Sequence, residues 1–370
     1  MAVTDSALTN AWTQVLNLSR LQAGQGVAIL TDPSTNQQTL ATAIAACQAI
    51  GATVTRVDLP AANAAKSLSR DPTSYVGTTA LTGNRSALAA LKASDLVLDL
   101  MLLLFSPEQE EILLGGTKIL LAVEPPEVLV RLVPTLEDRD AVLAAAGRLS
   151  AAKTMRVTSK AGTDVSFPLG SYPLLKEYGF VDEPGRWDHW PSGFLATWPT
   201  DHTAHGTIVL DRGDIWTPWK TYIRDPITMT VEKGYVTDIA GGLDADFLKD
   251  YIGFFEDPDA YAISHVGWGL QKRARWSVLG LYDRESTLGM DARAFAGNFL
   301  FSLGPNNEVG GHNNSPCHID IPMRNCTVEL DGAAVVRNGA LVEDGGTALA
   351  EHVRTAPGQS GDSRTRTSVT

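Results

Sequence analysis

The chain has 370 residues, 44% of them hydrophobic and 19% charged, an ordinary globular composition with room for one large domain or two smaller ones. Its net charge of −12, with no basic run, works against binding nucleic acid or an anionic membrane surface. The longest apolar run, Leu100–Phe105, falls well short of the roughly 20 residues that cross a bilayer.

Strands and helices alternate from residue 26 onward. Gly26–Thr31 is a short apolar run. From Ser34 to Gly51 a helical stretch puts Leu40, Ala43, Ile44 and Cys47 on one face, and glycine at its end suits a C-terminal cap. Val54–Leu59, Asp95–Leu104 and Thr117–Val123 read as three more strands. The Asp95 strand is continuous in apolar residues, as a strand buried on both faces must be. Ahead of the last strand, Ser106, Pro107 and Gln109 occupy the N-cap, N1 and N3 positions of a helix running to Gly115, a capping box. This alternation predicts an α/β fold whose residues 1–150 form a Rossmann-like domain, a parallel sheet covered by helices. No Gly-x-Gly-x-x-Gly follows any of these strands, so no dinucleotide is implied.

Past residue 150 the pattern changes to alternating residues and tight turns. Met155–Lys160 leads into Val165–Phe167. Ile227–Glu232 turns at Lys233 and Gly234 into Tyr235–Ile239, and Asn325–Leu330 turns at Asp331 and Gly332 into Ala333–Val336. One helix, Asp244–Tyr251, interrupts them. Residues 151–350 are therefore expected to form a β-rich α+β domain. The tail 351–370, rich in Ser, Thr, Gly and Arg, is expected to be disordered. Cys47, Cys317 and Cys326 form neither a disulfide framework nor a zinc-ligand spacing. The chain starts without a basic segment ahead of an apolar core. It thus reads as a cytoplasmic protein with no signal peptide and a small-molecule partner.

The seven histidines narrow the search for chemistry. On a strand, side chains alternate faces, so His318 and Asp320 project together while Ile319 and Ile321 point the other way. A His-x-Asp pair offers one imidazole and one carboxylate to a single cation. A second histidine would complete the 2-His-1-carboxylate set of non-haem Fe(II) sites, which leaves positions open for substrate and O2. The competing reading is an exposed strand face carrying an ion pair. His265, in an apolar, glycine-flanked segment, is either that second histidine or a satisfied core histidine. His202, His205 and His352 lie among polar residues. The stretch Glu177–Gly193 packs charges, aromatics, Gly and Pro into an expected loop, with His189 its acid/base candidate. Arg293 and Ser302 are candidate anchors for an oxyanion, and either reads equally well as structural.

Over residues 5–340 the chain resembles the 2,5-dihydroxypyridine 5,6-dioxygenases of bacterial nicotinate and picolinate breakdown. The stretches that carry the resemblance are Thr79–Asn84, Ser106–Glu110, Ile119–Val128, Asp182–Phe194, Ile263–Leu270, Met290–Phe295 and Cys317–Pro322. The resemblance implies one Fe(II) per chain, held by His265, His318 and Asp320. It also implies cleavage of 2,5-dihydroxypyridine between C5 and C6 by O2 to give N-formylmaleamate, in an enzyme expected to be a homo-oligomer. Glu177, His189, Arg293 and Ser302 are then expected to grip the ring's oxygen and nitrogen atoms and to move protons. In one position the chain departs from its relatives. Phe105 stands where they have a histidine thought to remove the substrate hydroxyl proton, at the carboxyl end of a parallel strand, where α/β sheets build their sites. Phenylalanine cannot take a proton, so turnover is expected to be impaired. A more distant similarity links the architecture to the thermophilic aminopeptidases, which carry two metals. There the segment similar to His189–Trp198 presents a metal-binding Glu where this chain has Phe194, which favours a single iron. A metallo-aminopeptidase and a ligand-binding relative without catalysis are the two alternatives.

Overall fold

The computed structural model describes residues 3–60, 79–103, 106–284 and 286–342, so Phe105, His352 and the tail 351–370 lie outside it. The first helix, α1 (Asp5–Leu18), buries Leu8, Trp12, Val15 and Leu16 along one stripe. Then follow β1 (Gly26–Thr31), α2 (Gln37–Ile50), β2 (Thr53–Asp58), α3 (Arg85–Lys92), β3 (Leu96–Asp99), α4 (Pro107–Leu114), β4 (Lys118–Leu121), α5 (Pro126–Arg131) and α6 (Leu136–Ala151). The four strands pair in parallel in the order β2-β1-β3-β4. Helix ends follow the expected chemistry: Asn36 caps α2, which stops at Gly51 with φ +91°, and the Ser106 hydroxyl caps α4 by accepting from Gln109 N. β3 is shorter than its apolar run suggests. Beyond Asp99 the buried Asp99 carboxylate accepts the backbone N–H groups of Met101 and Leu103, which takes the chain out of the ladder and leaves Leu102 at φ +71°.

From residue 154 the chain is mostly antiparallel. Its elements are β5 (Thr154–Ser159), β6 (Asp164–Pro168), β7 (Leu174–Glu177), β8 (Trp187–His189), β9 (Phe194–Thr197), β10 (His205–Leu210), β11 (Ile215–Trp216), β12 (Thr221–Tyr222), β13 (Ile227–Glu232) and β14 (Tyr235–Gly241). After them come α7 (Leu243–Gly253), β15 (Ile263–Gly269), α8 (Val278–Leu281), α9 (Met290–Ala294), β16 (Phe299–Leu303), β17 (Ile319–Met323), β18 (Cys326–Leu330), β19 (Ala333–Arg337) and β20 (Ala340–Leu341). One sheet runs β14-β13-β10-β6-β5-β18-β19-β20, a second runs β17-β16-β15-β9-β7, and β11 and β12 form a short ribbon. All three expected hairpins are present. Lys233-Gly234 and Asp331-Gly332 turn with both central φ angles positive, as a tight two-residue hairpin requires.

The stretch Glu177–Gly193 is mostly the loop its composition suggests, but it begins on the last residue of β7 and carries the short strand β8 within it. β7 lies in the antiparallel sheet, β8 crosses over to pair in parallel with β4, and β9 returns to the antiparallel sheet. The parallel sheet thus takes its fifth strand from residues 187–189, with Leu121 opposite His189. A continuous core joins both halves, and within it Trp12 and Trp190 meet edge to face at 4.9 Å. All three cysteines are buried and unpaired. Among the described residues, no helix is long and apolar enough to cross a membrane.

Candidate metal centre

His265, His318 and Asp320 come from β15 and the β17 end of the same sheet, with β16 between them. His318 directly precedes β17 and Asp320 follows two residues on, so both reach one face while Ile319 and Ile321 join the core. His265 reaches that spot because β15 bulges. Ile263 faces Leu303 and Val266 faces Phe301, so Ser264 and His265 share the single partner position of Ser302. The bulge is pinned by side chains: Ser302 Oγ accepts from His265 N at 2.9 Å, and Ser264 Oγ donates to Pro305 O.

The three side chains converge. The Nε2 atoms of His265 and His318 each lie 3.2 Å from Asp320 Oδ1. All three residues are buried, so the exposed strand face open from the sequence is not what the fold builds. Asp320 Oδ1 is completely buried, yet neither imidazole meets it with hydrogen-bond geometry. His265 Nδ1 likewise has no hydrogen-bond partner, so His265 is not a satisfied core histidine. Two ligand atoms bound at about 2.1 Å to one first-row cation sit about 3.0 Å apart at right angles and about 3.4 Å apart in a tetrahedron. The observed 3.2 Å separations fall between these, and a cation would satisfy the orphaned carboxylate oxygen. The residues present fit a metal.

Arg293, on α9, fixes the carboxylate from behind. Its Nε donates to Asp320 Oδ2 at 2.6 Å and its Nη1 to Leu288 O at 2.7 Å. Burial alone would raise the Asp320 pKa. The His318 and Arg293 charges beside it outweigh that and hold the carboxyl well below its usual range. The guanidinium expected to grip substrate therefore also holds the Asp320 carboxylate.

A cavity of about 50 Å³ adjoins the three residues, and Glu177, His189 and Arg293 line it too. Ser302 does not line it; its hydroxyl is engaged by the His265 backbone. His189 Nδ1 lies 2.6 Å from Pro191 O, a carbonyl that can only accept, so this nitrogen carries a proton. His189 Nε2 lies 2.7 Å from Glu177 Oε2. Burial pushes the His189 pKa down, but the Glu177 charge and hydrogen bond outweigh it, and the net shift is upward. With Nδ1 protonated, the short contact at Nε2 ties the imidazole to the Glu177 carboxyl group through one further proton. Two larger clefts share lining residues with the cavity: one of about 910 Å³ has Leu175 and Trp187 in common with it, and another of about 830 Å³ has Leu102 and Leu288. The second cleft lies beyond the carboxyl ends of the parallel strands, a customary place for ligands.

Two neighbours escaped sequence reasoning. Trp198 packs edge-on to the His265 ring at 5.9 Å and donates its indole N–H to Glu308 Oε1 at 3.1 Å. No local pattern announces either residue, since β9 and the loop before β17 bring them together only on folding.

Known proteins resemble the chain over nearly its whole length. A family model for 2,5-dihydroxypyridine 5,6-dioxygenase matches residues 7–343. A 2,5-dihydroxypyridine 5,6-dioxygenase from Pseudomonas putida is 54% identical over 342 residues, which is 92% of this chain and 98% of that protein. The solved structure of a 2,5-dihydroxypyridine dioxygenase from Pseudomonas putida KT2440 superposes with a TM-score of 0.91 at 54% identity, over 93% of this chain and 99% of that one. AmpT from Thermus thermophilus shares the fold, with a TM-score of 0.61 at 14% identity over 91% of this chain and 99% of its own.

Proposed function

The chain belongs to the 2,5-dihydroxypyridine 5,6-dioxygenase family, and from that premise we propose that it opens the pyridine ring of 2,5-dihydroxypyridine between C5 and C6 to give N-formylmaleamate. Both atoms of O2 end in the product, so the reaction balances without a further reductant. We assign one Fe(II) per chain to His265, His318 and Asp320. The observation that carries this reading is the convergence of two imidazole nitrogens on one buried, otherwise unsatisfied carboxylate oxygen. Bound there, Fe(II) would supply open positions for a substrate oxygen and O2 side by side.

The chain's own groups set the rest. Arg293 beside Asp320 favours its ionised form and holds one of its oxygens away from the cation position. The net positive charge of the cation with Arg293 favours a substrate whose hydroxyl has lost its proton. His189 is held in place by Pro191 O on one ring nitrogen and by Glu177 on the other. In our reading this pair meets a ring oxygen or the ring nitrogen and passes a proton to it or takes one from it. Leu121, Phe194 and Leu300 give the cavity apolar walls that exclude water.

Phe105 cannot serve as the base that a histidine provides in the relatives this chain resembles. The loss of a general base typically costs about 10²- to 10⁴-fold in rate, and we expect turnover to be slowed to that extent. The same residue favours a second reading, a relative that binds the ring without cleaving it. Anaerobic loading with iron, followed by oxygen uptake with 2,5-dihydroxypyridine, tests the first reading directly. Uptake with one equivalent of iron per chain supports it. Two equivalents of zinc or cobalt with peptide hydrolysis would replace it with a metallo-aminopeptidase.

A further inference from the structure

Shortly after β4 ends, Glu124 turns its carboxylate into the protein, where it is 2% exposed. A buried carboxylate is costly unless donors surround it, and three donors reach it from one distant stretch. Thr287 Oγ1 donates to Oε2 at 2.8 Å, Leu288 N to Oε2 at 3.1 Å, and Met290 N to Oε1 at 2.7 Å. That stretch in turn holds Arg293. Leu288 O accepts from Arg293 Nη1 at 2.7 Å, and Gly289 O accepts from Arg293 N at 3.1 Å. Arg293 Nε then grips Asp320 Oδ2 at 2.6 Å.

An unbroken line of hydrogen bonds thus joins the end of β4 to Asp320. Leu288 is its hinge, with its N–H on Glu124 and its C=O on Arg293. The segment cannot hold this shape alone. Residues 287–289 form no helix or strand, Gly289 sits at φ +86°, and α9 has only five residues, too few to be stable by itself. Arg131 adds a second tie by pairing with Asp291.

We propose that Glu124 is a positioning residue of the metal centre: it fixes the 287–290 segment, which sets the Arg293 guanidinium and so decides which Asp320 oxygen is left for the cation. This rests on the reading that His265, His318 and Asp320 hold that cation. Carboxylate ligands are oriented by the groups hydrogen-bonded to them, and losing such a partner typically weakens metal binding about 10- to 100-fold.

The test is anaerobic Fe(II) titration of the full chain carrying Glu124→Gln, which keeps the shape but turns an amide NH2 toward a donor N–H. Binding weakened about 10- to 100-fold supports the proposal, and unchanged affinity overturns it. A cycle with Arg293→Lys separates positioning from general destabilisation. If Glu124 acts through Arg293, Glu124→Gln should add less than about threefold to the loss already caused by Arg293→Lys. A full further loss on that background overturns the proposal. Should Glu124→Gln fail to fold, Thr287→Val removes one donor and carries the same cycle, with a loss of a few-fold expected. Saturable Fe(II) binding by the unsubstituted chain, abolished by His318→Ala, establishes the centre itself. An unaffected Glu124→Gln then counts against this proposal alone.

Discussion

The Ser302 hydroxyl accepts the backbone N–H of His265 at 2.9 Å, across the bulge that turns the imidazole toward Asp320. Ser302 thereby holds the strand that carries His265 in register and does not line the cavity. Ser302→Ala should leave a buried amide unsatisfied, at a cost of about 1–3 kcal/mol. The expected outcome is a thermal midpoint lower by several degrees, with KM for the ring substrate within about twofold of the parent. A large rise in KM with an unchanged midpoint would instead put the hydroxyl on the substrate.

Removing either end of the His318–Asp320 pair should abolish the Fe(II) binding proposed for this centre, but the two variants should differ in stability. Asp320→Ala leaves the buried Arg293 without its carboxylate, and breaking a buried pair this way costs about 3–5 kcal/mol. His318→Ala carries no such penalty. Neither variant should retain iron after anaerobic loading, and Asp320→Ala should unfold at the lower temperature. Iron analysis and calorimetry on the two proteins decide it, and iron retained by either would remove that residue from the ligand set.

Phe105→His should restore a proton acceptor. Turnover is expected to rise by about 10²- to 10⁴-fold with no change in bound iron. Oxygen uptake that stays absent in an iron-loaded Phe105→His protein would favour a binding role over catalysis.

His189 supplies a pH signature. Its pKa in the folded protein lies above the ordinary imidazole value of 6.5, because Glu177 outweighs the effect of burial. The stabilisation from this pair is therefore complete below about 6.5 and fades as pH rises through the raised value. Glu177→Gln removes the counter-charge, and the alkaline decline in stability should disappear with it. Unfolding midpoints of both proteins between about pH 6 and 10 make the comparison. An identical decline in the two would show that another group is responsible.

What could be read in the sequence was what local chemistry determines. The Lys233-Gly234 and Asp331-Gly332 hairpins are announced by turn residues between alternating strands. His318 and Asp320 share a face through strand periodicity alone. The approach of His265 was not legible in this way, because it depends on a bulge whose only sequence trace is a pair of serines on different strands, Ser264 and Ser302. The early end of β3 follows from the Asp99 side chain competing for backbone N–H groups, which an apolar run does not reveal. The position of Arg293 depends on Glu124, which lies 166 residues from Met290, its partner in that stretch. β8 escaped notice because three residues carry almost no periodic signal, and a parallel partner can lie anywhere in the chain.

That short strand has a consequence for anyone cutting the molecule apart. A fragment ending at residue 150 would expose the backbone of Lys118–Leu121 as a raw, apolar sheet edge, a template for sticking to other copies. The complementary fragment would keep all three ligand candidates but lose the Leu121 wall opposite His189. Neither piece could be expected to work as a portable module, and mixing the two would require β8 to find its seat along the edge of β4 without a covalent link to it.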